Sequence, residues 1–421
     1  MHVLLLAHYF PPDGGPGAQR PRSFARHLPG LGVRCTVLTR AVPAQRGDFD
    51  PADAEGLDAV READVVRAAA TTWPELHGAL LQAGERLDAA DRPDIVLATM
   101  SPFQLAPVAL ELGRRFGVPT VLDLRDPWAL DGVLDYRSRW HWRRAFAGMR
   151  AALTAADGVI ANCEESRRAI VAAMPSLRER TVAIPNGWDA LDFAGPAPVV
   201  EPSPVLRLVH GGSFLCSELY AGERPLRRLL GWLRHRPEPI DPRGRTPAPL
   251  LAALRHLRER GDPAGSAVRL VIVGRPDAAL RRCVAESGVA DLVELTGYLP
   301  HAATVRCLRE ADALFLTLHG LPAGRRARIV PGKTYEYLAS GRPLLAALPA
   351  GDARDLVASA PHTFLADPCD PESLAAAVVA LHAACRRGDL RAAAFAPQLA
   401  DYERRQLAGR LTHFLATVQK H

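Results

Sequence analysis

The sequence contains almost no lysine. Among its 52 lysine and arginine residues, Lys333 and Lys420 are the only lysines. Arginine is therefore the ordinary cation of this chain, and an internal ammonium group stands out. A guanidinium group forks across two oxygens, whereas an ammonium group is a compact point charge, so the two are not interchangeable at a binding site. Lys333 is the first candidate for a specific role.

Long hydrophobic runs and paired cysteines are also absent. No apolar run reaches the ~18–20 residues that cross a bilayer, and the start Met1 to Leu6 lacks a basic region or a small-residue cleavage site. The seven cysteines are scattered without a Cys-x-x-Cys pair, which argues against a zinc ribbon or a redox pair. We expect a cytoplasmic protein with reduced, mostly buried thiols.

The positive charge has no concentrated source. The formal net charge is +6 and the pI is about 9.1, but the arginines are spread along the whole chain, without a lysine-rich tail or a repeat of basic and aromatic residues. Nucleic acid is therefore not an expected partner. The only short Asp-x-Asp, Asp48-Phe49-Asp50, precedes a proline and is interpreted as a turn, so no metal site is expected.

Short apolar runs alternate with helical stretches, which is typical of parallel sheets covered by helices. The predicted strands of the first half are Val3 to Ala7, Val33 to Thr39, Ile95 to Thr99, Thr120 to Leu124, Gly158 to Asn162 and Thr181 to Ile184. Those of the second half are Leu206 to His210, Val268 to Gly274, Val293 to Gly297, Ala313 to Leu318, Pro343 to Ala347 and Thr363 to Ala366.

The Pro-rich stretch from Ala194 to Pro204 separates the two series. We therefore predict an α/β protein in which two Rossmann-like domains face each other across a cleft. Residues 1–195 form the first domain, and residues 205–395 form the second domain with an irregular insertion at about 215–247. Residues 396–421 form a C-terminal helix. Ligands of such folds bind at the carboxyl ends of the strands.

A glycine-rich loop follows the first strand and contains Gly14, Gly15 and Gly17. With the helix predicted from Ala18 to Leu28, it could cradle a phosphate or the edge of a sugar ring. The spacing differs from the G-x-G-x-x-G of nicotinamide enzymes, and Arg40 stands where their second strand ends in an acid. The glycines could equally serve only a tight turn.

Asp126 lies just beyond the strand from Thr120 to Leu124, a position that often reaches a ligand crevice. It could accept a proton from an attacking hydroxyl group. It could also cap the next turn or pair with Arg125.

The predicted helix from Tyr136 to Ala156 has two faces. Its apolar stripe of Trp142, Phe146, Met149 and Leu153 is more typical of core packing. Its arginines and Trp140 are also compatible with peripheral contact to the inner face of an anionic membrane.

The second half supplies the donor-side candidates. His210, Gly211 and Gly212 end its first strand, where small residues allow close approach of a ligand. Arg224 and Arg245 in the insertion could face a diphosphate in place of a metal. The turn at Gly332 precedes a helix bearing Lys333 and Glu336, which favours an anion and sugar hydroxyls. A surface ion pair between Lys333 and Glu336 is the alternative.

These segments together resemble glycosyltransferase family 4. The matching motifs are His8-Tyr9-Phe10-Pro11-Pro12, Leu124-Arg125-Asp126-Pro127-Trp128, Ile184-Pro185-Asn186-Gly187-Trp188-Asp189 and Pro331-Gly332-Lys333-Thr334-Tyr335-Glu336-Tyr337-Leu338. The resemblance implies a GT-B fold and a nucleotide-sugar donor bound mainly by residues 205–395. It also implies a glycan, lipid-linked or small-molecule acceptor bound by residues 1–195, and a C-terminal helix, residues 396–421, that returns to the first domain. Retention of anomeric configuration is expected, with no metal or other cofactor.

By position, the resemblance makes Glu336 the ribose-binding glutamate and places Gly14, Gly15 and Gly17 near the donor phosphates. Arg328 occupies the first place of the family's Glu-x7-Glu pair, and Asp126 stands where many members have a histidine. Two other functions remain compatible with the sequence. One is a nucleotide-sugar epimerase that uses Asp123 and Asp126, and the other is a non-catalytic nucleotide-sugar binding protein.

Overall fold

The computed structural model describes residues 1–41, 60, 63–70, 72–87, 92–195, 198, 203–220, 231–390 and 397–420. The Asp48 to Asp50 turn and Arg224 lie outside these residues. The chain divides into two compact units. Unit 1 comprises Met1–Asp131, Trp140–Gly187 and Asp401–His421, and unit 2 comprises Gly132–Arg139 and Trp188–Ala400.

Unit 1 is built on a seven-stranded parallel sheet in the order β3-β2-β1-β4-β5-β6-β7. Its strands are β1 (His2–Ala7), β2 (Arg34–Arg40), β3 (Asp64–Ala68), β4 (Ile95–Met100), β5 (Thr120–Leu124), β6 (Gly158–Ala161) and β7 (Thr181–Ala183). Its α-helices are α1 (Pro16–His27), α2 (Trp73–Glu85), α3 (Leu105–Phe116), α4 (Arg139–Ala155), α5 (Glu164–Ala173) and α13 (Arg404–Val418).

Unit 2 carries a six-stranded parallel sheet in the order β10-β9-β8-β11-β12-β13. Its strands are β8 (Leu206–Gly211), β9 (Val268–Val273), β10 (Val293–Gly297), β11 (Ala313–Thr317), β12 (Leu344–Ala347) and β13 (Thr363–Ala366). Its α-helices are α6 (Ala248–Glu259), α7 (Ala264–Ala267), α8 (Ala278–Glu286), α9 (His301–Arg309), α10 (Lys333–Ala339), α11 (Asp352–Ala358) and α12 (Pro371–Arg387).

The prediction of two Rossmann-like α/β sheets is confirmed. All six residues of β1 and of β4 are buried, as expected for parallel strands covered by helices on both faces. In each sheet the strand order reverses beside the unit's first strand, between β1 and β4 in unit 1 and between β8 and β11 in unit 2. Such a switch point leaves a crevice at the carboxyl ends of the strands.

One strand was missed by the sequence analysis. Strand β3 lies at the edge of the unit 1 sheet, and only Ala68 among its residues is buried. Its half-exposed sequence Asp64-Val65-Val66-Arg67-Ala68 lacks the continuous apolar run of the central strands. An edge strand has a partner on one side only, so weaker hydrophobic patterning suffices.

Two predicted helices have the packing that their patterns indicated. Met149 and Leu153 of α4 are fully buried in the core of unit 1, and Trp142 and Phe146 pack against that core, whereas Trp140 is 61% exposed. Helix α13 buries its apolar residues in the core of unit 1, where Phe414 and Val418 lie beside Gly158 of β6. All seven cysteines are free, four of them buried. Among the described residues, no helix is both long and apolar enough to cross a membrane.

A buried ion pair joins three segments of unit 1. Arg20 of α1 donates through Nε and Nη2 to the two carboxylate oxygens of Asp123 on β5, both at 2.7 Å. Its Nη1 donates to the carbonyl oxygen of Pro185 at 2.8 Å. The two side chains are 4% and 0% exposed, so neither charge has water as an alternative partner.

Breaking this pair should destabilise the protein strongly, because the remaining charge would stay buried without a counter-ion. We expect Arg20→Ala to lower the free energy of unfolding by about 3–5 kcal/mol, measured by urea denaturation. The matched control is Arg34→Ala, which removes an arginine that is 48% exposed and pairs with Asp64 at the surface; it should cost no more than about 1 kcal/mol. Equal losses for the two variants would contradict the assignment.

Candidate functional site

The site in unit 2 begins with His210 at the carboxyl end of β8. His210 is 2% exposed, and its Nδ1 lies 2.8 Å from the carbonyl oxygen of Phe315 on the neighbouring strand β11. Because a carbonyl oxygen can only accept, Nδ1 carries the proton and Nε2 is left as an acceptor. Burial and the nearby Lys333 hold the pKa of His210 well below its usual range, so the ring is neutral.

Lys333 is the partner of that free nitrogen. It is the first residue of α10, and its Nζ donates to Nε2 of His210 at 3.0 Å. Burial, followed by the charge of Arg245, lowers the pKa of Lys333 to about 8, while Glu336 acts in the opposite direction. The ammonium group is therefore a fixed cation whose protonation is sensitive to added or removed charge.

Gly212, the second residue after His210, lies beside this contact. It has φ +108°, which disfavours other residues, and a Cβ there would lie 3.0 Å from Nζ of Lys333. The N–H of Gly211 donates to the Tyr337 hydroxyl at 2.7 Å, and the N–H of Gly212 donates to the carbonyl oxygen of Val273 at 2.7 Å. Both N–H groups thus have partners inside the protein and are not offered to a ligand.

The irregular insertion adds Arg245 to the site. The segment is attached to the end of β11 by paired backbone hydrogen bonds of 2.9 Å between Asp241 and Gly320. Gly244 packs so closely that a Cβ there would lie 2.4 Å from the carbonyl oxygen of Leu318. This attachment brings Arg245 close enough to lower the pKa values of both Lys333 and His319.

His319 was not singled out by the sequence analysis. It is 3% exposed, and its Nδ1 is buried without a hydrogen-bond partner among the described residues. Burial, Arg245 and Arg236 lower its pKa to about 3, so it is also neutral. A signal was available: both His210 and His319 follow an apolar strand and precede a glycine, and their strands are neighbours in the sheet.

Gly332 and Glu336 lie on either side of Lys333 in the chain. Gly332 is exposed, has ordinary helical angles, and a Cβ there would meet nothing within 4 Å, so its own geometry does not require glycine. Glu336 is half-buried in the first turn of α10. Arg328 lies with its Nη2 3.7 Å from a carboxylate oxygen of Glu238, so the insertion places a buried acid beside this arginine.

In unit 1, the predicted residues gather at the carboxyl ends of β1 and β5. Arg125 donates through Nη1 to the carbonyl oxygen of Gly17 at 2.7 Å, which ties the glycine loop to the end of β5. A Cβ on Gly17 would lie 2.8 Å from the ring of Tyr9. Asp126 is half-buried, and its charge raises the otherwise lowered pKa of Arg125. Gly14 and Gly15 lie in the same loop, with Gly15 as the N-cap of α1.

Both units match family models. Residues 14–187 match a glycosyl transferase 4-like domain, and residues 247–384 match the glycosyl transferases group 1. The two matches indicate a GT-B glycosyltransferase. Lys333 and Glu336 lie within the second match, Arg245 lies two residues before its start, and Asp126 lies within the first match. None of the curated proteins matches the sequence.

Solved structures agree with the GT-B fold of this glycosyltransferase. Anabaena HepE in complex with UDP and glucose is 18% identical, covers 99% of this chain and 100% of its own, and has a TM-score of 0.61. A Rickettsia africae glycosyltransferase is 12% identical, with coverages of 100% and 99% and a TM-score of 0.62. A putative UDP-N-acetylglucosamine 2-epimerase from Listeria monocytogenes is 14% identical, with coverages of 98% and 94% and a TM-score of 0.53.

The scarcity of lysine allows the ammonium of Lys333 to be observed directly. After reductive methylation with carbon-13 formaldehyde, the chain should give signals only from Lys333, Lys420 and the amino terminus. We expect one of them to titrate near pH 8 and to disappear in Lys333→Met, with Lys420→Met as the control. Arg245→Gln should move that midpoint upward, because a neighbouring positive charge is removed. An unchanged midpoint would show that Arg245 does not act on Lys333.

Proposed function

We propose that this glycosyltransferase moves a sugar, with retention of configuration, from a nucleotide-diphosphate sugar to a hydroxyl group of an acceptor. The observation that carries this proposal is the cation pair of Lys333 and Arg245 beside the neutral His210 at the switch point of unit 2. A neutral ring adds no negative charge, and the positive charges of Lys333 and Arg245 therefore favour an anion. The UDP or UDP-glucose in the Anabaena HepE structures supports UDP-sugars as the first donors to test.

The leaving group explains why fixed cations matter. As the anomeric C–O bond breaks, one further negative charge develops on the nucleotide diphosphate, whose terminal phosphate then carries about two. Cations already held in place stabilise that charge without reorganising. Lys333 and Arg245 supply these charges from the protein, and we therefore propose that the reaction needs no metal ion. Arg224 is a further candidate from the sequence that lies outside the described residues.

The proposed transfer takes place on one face of the sugar. The bond between the anomeric carbon and the phosphate oxygen breaks, the acceptor oxygen bonds to the same carbon, and the acceptor proton passes to the departing phosphate oxygen. In this route no side chain has to act as base, because the leaving group takes the proton. Asp126 of unit 1 is the alternative base from the sequence.

The geometry favours a transferase over an epimerase. An epimerase of this fold was expected to use Asp123 and Asp126 as carboxylates that remove and return a ring proton. Asp123 is fully buried and holds Arg20 with both oxygens, so it has no lone pair directed at a substrate without breaking that pair. A purely binding function was suggested by Arg328 in place of an acid. The buried Glu238 beside Arg328 supplies a carboxylate there, which weakens that argument.

We also propose that the acceptor is a glycan, a lipid-linked sugar or a small molecule. The exposed Trp140 on the arginine-rich helix α4 supports peripheral contact with an anionic membrane from the cytoplasmic side.

Replacing the ammonium should affect turnover more than binding. We expect Lys333→Met to lower kcat by about 100-fold or more, because the charge on the leaving group peaks in the transition state, and to weaken nucleotide affinity by less than about tenfold. Donor turnover is followed by release of nucleoside diphosphate. Lys420→Met, the only other lysine variant, should behave as wild type. Full activity of Lys333→Met would remove it from the leaving-group role.

Glu336 is proposed to accept hydrogen bonds from the donor ribose. Glu336→Ala should weaken the binding of UDP or GDP by about tenfold, measured by calorimetry, because a charged acceptor is lost. Glu372→Ala is a matched control, since Glu372 is an exposed acid in the first turn of another unit 2 helix. If both variants bind with wild-type affinity, the ribose assignment is wrong.

A further inference from the structure

Arg40, at the end of β2 in unit 1, has an incompletely used guanidinium group. Its Nη2 donates to both carboxylate oxygens of Asp13, at 3.2 and 3.0 Å. Its Nε is buried and has no hydrogen-bond partner in the described part of the chain. An unused buried donor on a charged group is costly, so it indicates a ligand.

Comparison with Arg20 shows what is missing. Arg20 places Nε on one oxygen of Asp123 and Nη2 on the other, so the same edge of its guanidinium group is fully occupied. Arg40 uses Nη2 alone. A carboxylate or phosphate can accept hydrogen bonds from Nε and Nη2 of one guanidinium group at the same time. Such a group on a ligand would bind Arg40 as Asp123 binds Arg20.

The surroundings of Arg40 suit a sugar ring that carries such a group. Arg40 lies 5.8 Å from the centre of the Tyr9 ring, Tyr9 contacts His8 edge to face, and His8 stacks on Trp73 at 4.9 Å. Aromatic faces at the end of a strand provide apolar surfaces for the C–H face of a sugar. Nδ1 of His8 is buried without a partner among the described residues.

The charges around His8 are positive on balance. Burial, Arg40 and Arg125 lower the pKa of His8 to about 4, so the ring is neutral and its Nδ1 can either donate or accept. A polar ligand at the carboxyl ends of β1 and β2 would therefore find Arg40 Nε and His8 Nδ1 unsatisfied.

We propose that this cluster of Arg40, His8, Tyr9 and Trp73 is a subsite of unit 1 that binds a sugar bearing an acidic group, either a carboxylate or a phosphate. Nε and Nη2 of Arg40 hold the acidic group, with Asp13 giving up its place on Nη2. The aromatic residues pack on the ring. This inference rests on the proposed function, because it makes the acidic sugar the acceptor of the transferase.

The test compares acidic and neutral probes on the full chain. Binding of methyl glucoside, methyl glucuronide and glucose 6-phosphate is measured by calorimetry without a donor. We expect one acidic probe to bind at least tenfold more tightly than methyl glucoside, and this advantage to disappear in Arg40→Gln. Tighter binding of methyl glucuronide identifies a carboxylate, and tighter binding of glucose 6-phosphate identifies a phosphate. Equal affinity for all three probes overturns the proposal.

Two further variants separate binding from folding. Arg34→Gln is the matched control, because Arg34 begins the strand that Arg40 ends, and it should keep the acidic preference. Asp13→Asn removes the carboxylate that competes for Nη2, so it should tighten acidic binding about threefold or more. A merely structural Arg40–Asp13 pair predicts instead that Asp13→Asn leaves the acidic probe unaffected or weakens it, which would overturn the proposal even if Arg40→Gln folded poorly.

The Lys333→Met variant separates this proposal from the proposed function. The subsite in unit 1 should bind its acidic probe equally well in Lys333→Met, whereas nucleotide-sugar turnover should fall. Loss of acidic binding in Lys333→Met would assign the probe to unit 2 and overturn the subsite. Retained probe binding in a protein that releases no nucleoside diphosphate from any donor would instead contradict only the transferase.

Discussion

The hydrogen bond from Lys333 to His210 constrains everything around it. Burial and the nearby Lys333 keep the imidazole of His210 neutral. Its Nδ1–H donates to the carbonyl oxygen of Phe315, so Nε2 presents the lone pair that accepts from Lys333. Gly212 has φ +108°, which other residues rarely adopt, and a Cβ there would lie 3.0 Å from Nζ of Lys333. The two hydrogen bonds of the His210 ring thus connect the carboxyl end of β8 with the neighbouring strand β11 and with the start of α10.

The two units handle buried charge in different ways. In unit 1, Arg20 and Asp123 satisfy each other completely, and the pair holds α1 and β5 together. In unit 2, burial and Arg245 lower the pKa of Lys333, whose Nζ donates to the neutral ring of His210. The pair of Arg20 and Asp123 is typical of a structural role, because the two opposite charges neutralise each other. The positive charge of Lys333 is not neutralised by the His210 ring, and this difference distinguishes a structural ion pair from a candidate binding site.

The sequence predicted the central strands well because each is a continuous apolar run that parallel sheets bury on both faces. Strand β3 was missed because an edge strand needs less of that pattern. Lys333 was found through its rarity and Glu336 through its spacing from Lys333. His319 was missed since one histidine after a strand carries little information until β8 and β11 are known to be neighbours. Glu238 lay in an insertion without periodicity, so nothing in the sequence connected it with Arg328.

The sequence by itself determined the alternation of strands and helices, the two repeated sheets and the family resemblance, because these depend on local patterns of hydrophobicity and on short motifs. Tertiary structure decided which charged side chains find a hydrogen-bonding partner and which keep an unpaired donor. Arg20 and Arg40 are the same residue type in the same unit, yet one meets a buried carboxylate across 103 positions of sequence and the other keeps a donor unpaired. Hydrogen bonding and desolvation depend on distances that only the folded chain sets.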